Sequence, residues 1–331
     1  MRQFSYVAAA GVSSAVDLMA RMPGARYLAG GTNLVDLIRE GVEQPVMLLD
    51  VTALPLTGIE ELPGGGLRIG ALVRNSDLAA SPLVRARFPV VARAVLAGAS
   101  AQIRNMATTG GNLLQRTRCG YFYDLAEACN KRQPGSGCAA LGGFNRMHAV
   151  LGASDTCIAV HPSDLAVALA ALDAVVEVTG PDGTRRITLA DLYRSPAGAP
   201  DRETVLQYAD LITAVEIPGL TDAANSDYRK VRDRASYAFA LVSVAAVLRV
   251  EDNQVAHIRL ALGGVAPRPW RAHSAERELL GLTPTEDSFR AAAEAELASA
   301  TGRRHSAFKP ELARRTIVAT LRRLATQTGA S

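Results

Sequence analysis

Leu28-Ala29-Gly30-Gly31-Thr32-Asn33-Leu34 is the stretch on which the fold turns. Ahead of it, residues 4–7 alternate as a short strand, Ser13 stands as an N-cap for a helix over 15–21, and Pro23-Gly24 stops that helix. Residues 27–29 read as a second strand. Behind the glycines, an apolar-periodic stretch over 34–39 ends at Gly41, and 46–49 forms another buried strand. This β-α-β-α-β alternation is the pattern of an α/β subdomain. Two adjacent glycines let the backbone turn tightly and approach a ligand closely. The helix start that follows offers unpaired N–H groups and partial positive charge, which suits a phosphate or pyrophosphate. The plain alternative is a helix cap with a glycine turn. The segment matches neither G-x-G-x-x-G nor a P-loop, so the two standard nucleotide fingerprints are excluded.

The theme recurs downstream. After a loop at Pro63-Gly64-Gly65-Gly66 come a strand over 67–71, a helix starting at Ser76-Asp77-Leu78 and an apolar helix over 88–99. Then Ile103-Arg104-Asn105-Met106-Ala107-Thr108-Thr109-Gly110-Gly111-Asn112-Leu113 again joins hydroxyls to Gly-Gly-Asn. Two such loops predict two walls of one cleft for an anionic ligand, against the alternative of two ordinary turns. Further on, Asp164 is the plain N-cap of an apolar run reaching Ala174. Gly180-Pro181-Asp182-Gly183 marks a hairpin between 175–178 and 186–188, and 211–217 is a strand. Beyond a linker at 221–226, strands over 241–250 and 255–262 flank Glu251-Asp252-Asn253-Gln254. Helices follow over 274–281, 286–299 and 309–327. The reading is α+β overall.

With 331 residues and 48% hydrophobic residues, the chain has the size of two or three domains and is not intrinsically disordered. A net charge of +4 spread over that length gives no argument for nucleic acid. No run of 18 apolar residues predicts a membrane span, and the N-terminal segment, with Asp17 and Arg21 close behind a short apolar patch, does not read as a signal peptide.

All four cysteines lie between Cys119 and Cys157, with spacing C-x9-C-x8-C-x18-C. Roughly one random placement in 150 clusters four cysteines so tightly, so the grouping carries meaning. Disulfides are the ordinary alternative, but a chain this long does not need a staple. Zinc sites favour C-x2–4-C knuckles, which are absent. An iron–sulfur cluster needs four thiolates and tolerates long loops between them. Lys131 and Arg132 are candidates to stand near such a cluster, and Tyr121, Phe122 and Tyr123 to shield it. His148 and His161 are read as structural, not as ligands.

The two Gly-Gly-containing loops, Ile69-Gly70-Ala71 between them and Ser163-Asp164-Leu165 beyond resemble the FAD-binding subunit of molybdenum hydroxylases, the xanthine dehydrogenase, aldehyde oxidoreductase and carbon monoxide dehydrogenase relatives. The resemblance covers essentially the whole chain. It implies an FAD-binding module of two α/β subdomains, 1–55 and 56–222, followed by a C-terminal antiparallel sheet with packed helices, 223–331. The cysteine-bearing insertion, 115–160, is similar to the subset that holds a 4Fe–4S cluster, represented by bacterial periplasmic aromatic-aldehyde oxidoreductases and by 4-hydroxybenzoyl-CoA reductase. Cys119, Cys129, Cys138 and Cys157 are then the implied ligands.

The resemblance further implies that Gly30, Gly31, Thr32 and Asn33 line the FAD pyrophosphate, with Leu28, Ala29 and Leu34 beside them in the cofactor site. Thr108, Gly111 and Asn112 contact the pyrophosphate or ribityl chain, and Asp164 a ribose or ribityl hydroxyl. Ile212 packs on a ring, and Lys230 stands near the flavin edge. No catalytic acid, base or nucleophile is implied. The implied partners are a small subunit with two 2Fe–2S clusters, a large subunit with the molybdenum cofactor, and a ferredoxin-like or other acceptor. Export to the periplasm with a signal-bearing partner is implied, with a cytoplasmic location as the alternative. A 4-hydroxybenzoyl-CoA reductase-like or xanthine dehydrogenase-like complex, a stand-alone flavoprotein oxidase and a zinc-bound scaffold are the competing readings.

Overall fold

The computed structural model describes residues 2–328. Three sheets follow one another along the chain. The first contains β1 (Ser5–Ala8), β2 (Ala25–Leu28) and β3 (Met47–Asp50) in the order β1-β3-β2, with both pairings parallel. Parallel neighbours cannot be joined by a tight hairpin, so the helices Val12–Arg21 and Leu34–Arg39 serve as the crossovers. The alternation expected from the sequence is therefore present. The first helix starts earlier than the Ser13 cap predicts: extended Gly11 is its N-cap, without a side-chain hydrogen bond.

The second sheet contains β4 (Ile59–Glu61), β5 (Leu67–Gly70), β6 (Val175–Gly180), β7 (Gly183–Thr188) and β8 (Leu211–Ile217). Its order is β4-β5-β8-β6-β7, antiparallel throughout. The chain between β5 and β6 forms the second Gly-Gly loop, the cysteine segment and several helices.

The third sheet contains β9 (Ser226–Val231), β10 (Val242–Glu251), β11 (Gln254–Gly263) and β12 (Trp270–Arg271), ordered β12-β11-β10-β9 and antiparallel. Asp252 and Asn253 turn the β10–β11 hairpin with φ of 47° and 57°, the left-handed pair that a type I′ turn requires. Val242, Val244, Ala246 and Leu248 of β10 face a core built with the helices His273–Leu279, Glu286–Leu297 and Lys309–Thr328. Ala245 and Val247 belong to a second core shared with β5, β6 and β8. Burial on both faces explains why β10 reads as an unbroken apolar run.

The helix Asp164–Ala171 lies within that shared core and has only Ala170 outside the buried class, so it is apolar on every side. Its N-cap is Ser163, whose Oγ accepts from Ala166 N at 2.9 Å. The capping role expected of Asp164 thus falls to its neighbour, and the Asp164 carboxylate is free to face elsewhere. Among the described residues no helix is long and apolar enough to cross a membrane.

Candidate functional site

A cleft of about 1640 Å³ runs between the first sheet, the second Gly-Gly loop and β9. It is larger than the roughly 300–1,000 Å³ of a site for a drug-sized ligand and has the capacity for a dinucleotide. Ala29, Gly30, Gly31, Thr32, Asn33 and Leu34 line one wall. Leu28 does not reach it; this residue ends β2 opposite Asp50, and its carbonyl accepts from Val51 N. Thr108, Gly111, Asn112, Asp164, Ile212 and Lys230 line the facing walls.

The two Gly-Gly loops touch. A Cβ on Gly30 would stand 1.8 Å from the Met106 carbonyl oxygen, so glycine is the residue that lets the first loop close on the second. Gly31 adopts φ of 70°, the left-handed conformation that turns the chain into the next helix. Asn33 is the N-cap of Leu34–Arg39 but makes no cap hydrogen bond. Its Oδ1 accepts from Arg116 N at 2.8 Å instead. Its buried Nδ2 has no partner in hydrogen-bond geometry, although it sits by the Tyr123 hydroxyl. An uncapped first turn and an orphaned amide donor, beside a glycine cradle that a Cβ would fill, fit a pyrophosphate-bearing ligand such as FAD.

On the opposite side, Thr108 caps the short helix Thr109–Leu113, accepting from Gly111 N at 3.3 Å. Asn112 Oδ1 accepts from the Ser163 hydroxyl and from Gln115 Nε2. These bonds fix the loop. Ile212, on β8, backs Gly110.

Asp164 and Lys230 meet directly. Lys230 Nζ donates to Asp164 Oδ2 at 2.7 Å and to the Ala97 carbonyl at 3.2 Å, while the Tyr228 hydroxyl donates to Asp164 Oδ1 at 2.6 Å. Burial and the adjoining carboxylate hold the Tyr228 hydroxyl far above its ordinary pKa, so it is a fixed donor. Alternation along β9 places Tyr228 and Lys230 on one face. Nothing local in the sequence pairs Tyr228 with Asp164, because 64 residues separate them.

A second network joins distant segments. Arg116 pairs with Glu43 at 2.9 Å and with Glu203, and Lys131 pairs with Glu203 at 2.8 Å. Burial pushes the Glu203 carboxyl up, but Arg116 and Lys131 pull it below its usual value. Lys131 also donates to the Pro200 carbonyl at 2.9 Å. This cluster ties the cysteine segment to the chain between the second crossover helix and β3, and to the chain before β8.

The four cysteines line one small cavity together with Lys131 and Phe122. A β-bridge pairs Cys129 with Cys138. All four are free thiols rather than disulfides. Burial pushes the Cys119 thiol up to about 12 and raises Cys157, the latter opposed by the Lys131 ammonium. Among the described residues, no three His, Cys, Asp or Glu side chains come close enough to share a single metal ion. Thiolates bound to one zinc at about 2.3 Å stand only about 3.8 Å from each other. The four thiolates of a four-iron cluster bind four separate irons and stand wider. Four thiol side chains around one small cavity are the donor set that an iron–sulfur cluster takes.

Arg132 does not stand at this cavity as expected. Its guanidinium donates to the Tyr121 and Phe122 carbonyls at 2.8 Å and ties the loop. His148, read from sequence as structural, lies with Nε2 3.1 Å from Cys119 Sγ.

Residues 2–220 match the FAD binding domain in molybdopterin dehydrogenase, and residues 226–324 match the CO dehydrogenase flavoprotein C-terminal domain. The chain is 52% identical to the aldehyde oxidoreductase FAD-binding subunit PaoB of Escherichia coli (strain K12), over 97% of this chain and 98% of that one. It is 27% identical to the glyceraldehyde dehydrogenase medium chain of Sulfolobus acidocaldarius, covering 86% and 84%. A solved carbon monoxide dehydrogenase chain from Hydrogenophaga pseudoflava superposes with a TM-score of 0.76 at 27% identity, over 98% of both chains. The chain belongs to the FAD-binding medium subunits of the molybdenum hydroxylase family and is an oxidoreductase subunit.

Proposed function

We propose that this chain is the FAD- and 4Fe–4S-carrying electron-transfer subunit of a molybdenum-dependent aldehyde oxidoreductase. It takes electrons from the 2Fe–2S clusters of a small partner subunit, in a complex whose large subunit bears the molybdenum cofactor, and delivers them to an external acceptor such as a ferredoxin-like protein. Bound FAD supplies the exchange between two-electron and one-electron chemistry, and the protein supplies position and electrostatics.

The chain's own residues divide that work. Gly30 and Gly31 admit the pyrophosphate, and Asn33 Nδ2 and the N–H groups of Leu34 and Asp36 donate to it, Val35 N being taken by the Gly31 carbonyl. Thr108, Gly111 and Asn112 shape the facing wall, Asp164 holds Lys230 at the cleft, and Ile212 provides an apolar surface. Cys119, Cys129, Cys138 and Cys157 hold the cluster, and Lys131 balances part of its negative charge. The proposed units are 1–55, 56–222 and 223–331. A signal-bearing partner carries the assembled complex to the periplasm.

One observation carries this reading. Cys119 lines the large cleft and the cysteine cavity at once, so a flavin in the one and a cluster in the other would share a wall. The 52% identity to an aldehyde oxidoreductase subunit supports aldehyde as the substrate class. The test is Cys129→Ser in the assembled complex. Loss of iron together with loss of turnover by a one-electron acceptor, while FAD is retained, is the expected result. Unchanged turnover with that acceptor contradicts it. Collapse of protein yield alone assigns the cysteines to holding the loop.

A further inference from the structure

We propose that His148 tunes the iron–sulfur site by donating its Nε2–H to the sulfur of Cys119. The inference rests on the cluster reading above and extends it to a residue outside the ligand set.

The geometry begins with the 3.1 Å separation between His148 Nε2 and Cys119 Sγ, within reach of an N–H···S hydrogen bond. The opposite ring nitrogen, Nδ1, is buried with no hydrogen-bond partner. That asymmetry favours the tautomer with its proton on Nε2. A proton on Nδ1 would be a buried donor without an acceptor, and it would turn the Nε2 lone pair toward a thiolate. A proton on Nε2 makes the one bond available.

The ring stands on a rigid base. His148 N donates to the Asn145 carbonyl at 3.1 Å, and Asn145 Oδ1 accepts from His305 N at 3.1 Å. Lys309, fully buried at the start of the C-terminal helix, donates from Nζ to the His148 carbonyl at 2.8 Å and also to the Gly264 carbonyl. The backbone of His148 is therefore clamped to the end of β11 and to that helix. Cys119 is held as well, its N–H donating to Thr117 Oγ1 at 3.3 Å. Movement of the His148 backbone away from Cys119 breaks a buried lysine contact.

A hydrogen bond to a ligand sulfur withdraws electron density from the cluster and favours its reduced state. Cys119 is the cysteine that also lines the cleft, so the bond acts on the side of the cluster that faces the flavin site. His148 is a positioning and tuning residue; it binds no metal.

The test is a redox titration of the full chain, followed by electron paramagnetic resonance, for wild type, His148→Leu and His148→Gln. His148→Leu is expected to retain FAD and about four irons and to shift the cluster midpoint to a more negative potential. His148→Gln keeps an N–H donor and is expected to return the midpoint toward wild type. Equal midpoints for wild type and His148→Leu overturn the inference, with the cluster reading intact. A wild-type chain without iron overturns both. Should His148→Leu fail to hold iron, the wild-type protein decides. With 15N-histidine incorporated, pulsed resonance of the reduced cluster is expected to show coupling to a histidine nitrogen, and its absence overturns the inference.

Discussion

The ammonium of Lys230 lies 2.7 Å from the Asp164 carboxylate, with the two side chains 3% and 9% exposed. The pair joins β9 of the third sheet to the helix that follows the cysteine segment. Both charges are desolvated, so each depends on the other. Lys230→Met keeps the bulk and removes the charge, leaving Asp164 only the Tyr228 hydroxyl. The expected cost is about 3–5 kcal/mol of unfolding free energy. Adding Asp164→Asn removes the stranded carboxylate and is expected to recover much of that loss. Urea denaturation of the two variants checks this, and a double variant no more stable than Lys230→Met contradicts the pairing.

Gly30→Ala probes the contact between the two Gly-Gly loops. The added methyl meets the Met106 carbonyl oxygen at 1.8 Å, and both atoms belong to the backbone or attach directly to it. The loops must separate, at a cost of about 1–3 kcal/mol. FAD content per purified chain is expected to fall further than the thermal midpoint alone predicts, because the cleft wall itself is displaced. Full FAD occupancy in this variant would show that the loops do not form the cofactor wall.

Glu203 balances two cations, Arg116 and Lys131, that come from either side of the first cysteine turns. In Glu203→Gln the Lys131 ammonium, 8% exposed, loses its anionic partner. A destabilisation of about 3–5 kcal/mol is expected at that junction. Limited proteolysis should report it as faster cleavage within 115–160, with the C-terminal sheet remaining protected.

Acid sensitivity follows from His161. Burial lowers its pKa from 6.5 to about 4, and its ring packs edge-on to Tyr193 with centroids 4.5 Å apart. Between pH 6.5 and about 4 the unfolded histidine holds a proton that the folded one does not. Stability therefore falls as pH falls through that window. His161→Gln is expected to be less stable at neutral pH but to lose less as the pH drops from about 7 to about 5. Parallel urea midpoints at the two pH values would assign the acid limb to other groups.

Elements with strong local signals were legible in the sequence. The helix Leu34–Arg39 and the strand Leu211–Ile217 have the bounds that their periodicity and the flanking Gly41 and Pro218 predict. Asp252-Asn253 marked the β10–β11 turn because those residues tolerate the left-handed conformation. Ser163 and Asp164 show where local reading stops. Both are competent N-caps, and Tyr228 and Lys230, 64 and 66 residues away, draw the carboxylate off and leave the cap to the serine. Arg132 failed for a similar reason: nearby carbonyls of its own loop outcompete the cysteine cavity for the guanidinium. Nothing in the spacing of the cysteines reveals that His148 reaches Cys119, since 29 residues separate the two and Lys309, 161 residues further on, holds the His148 carbonyl.

The most direct test of the central claim is the iron and flavin content of the anaerobically purified full chain, with its absorption spectrum taken on the same sample. About one FAD and about four irons per chain are expected, with cluster absorption beneath the flavin bands. Flavin without iron would contradict the two-cofactor relay and reduce the four cysteines to parts of a loop.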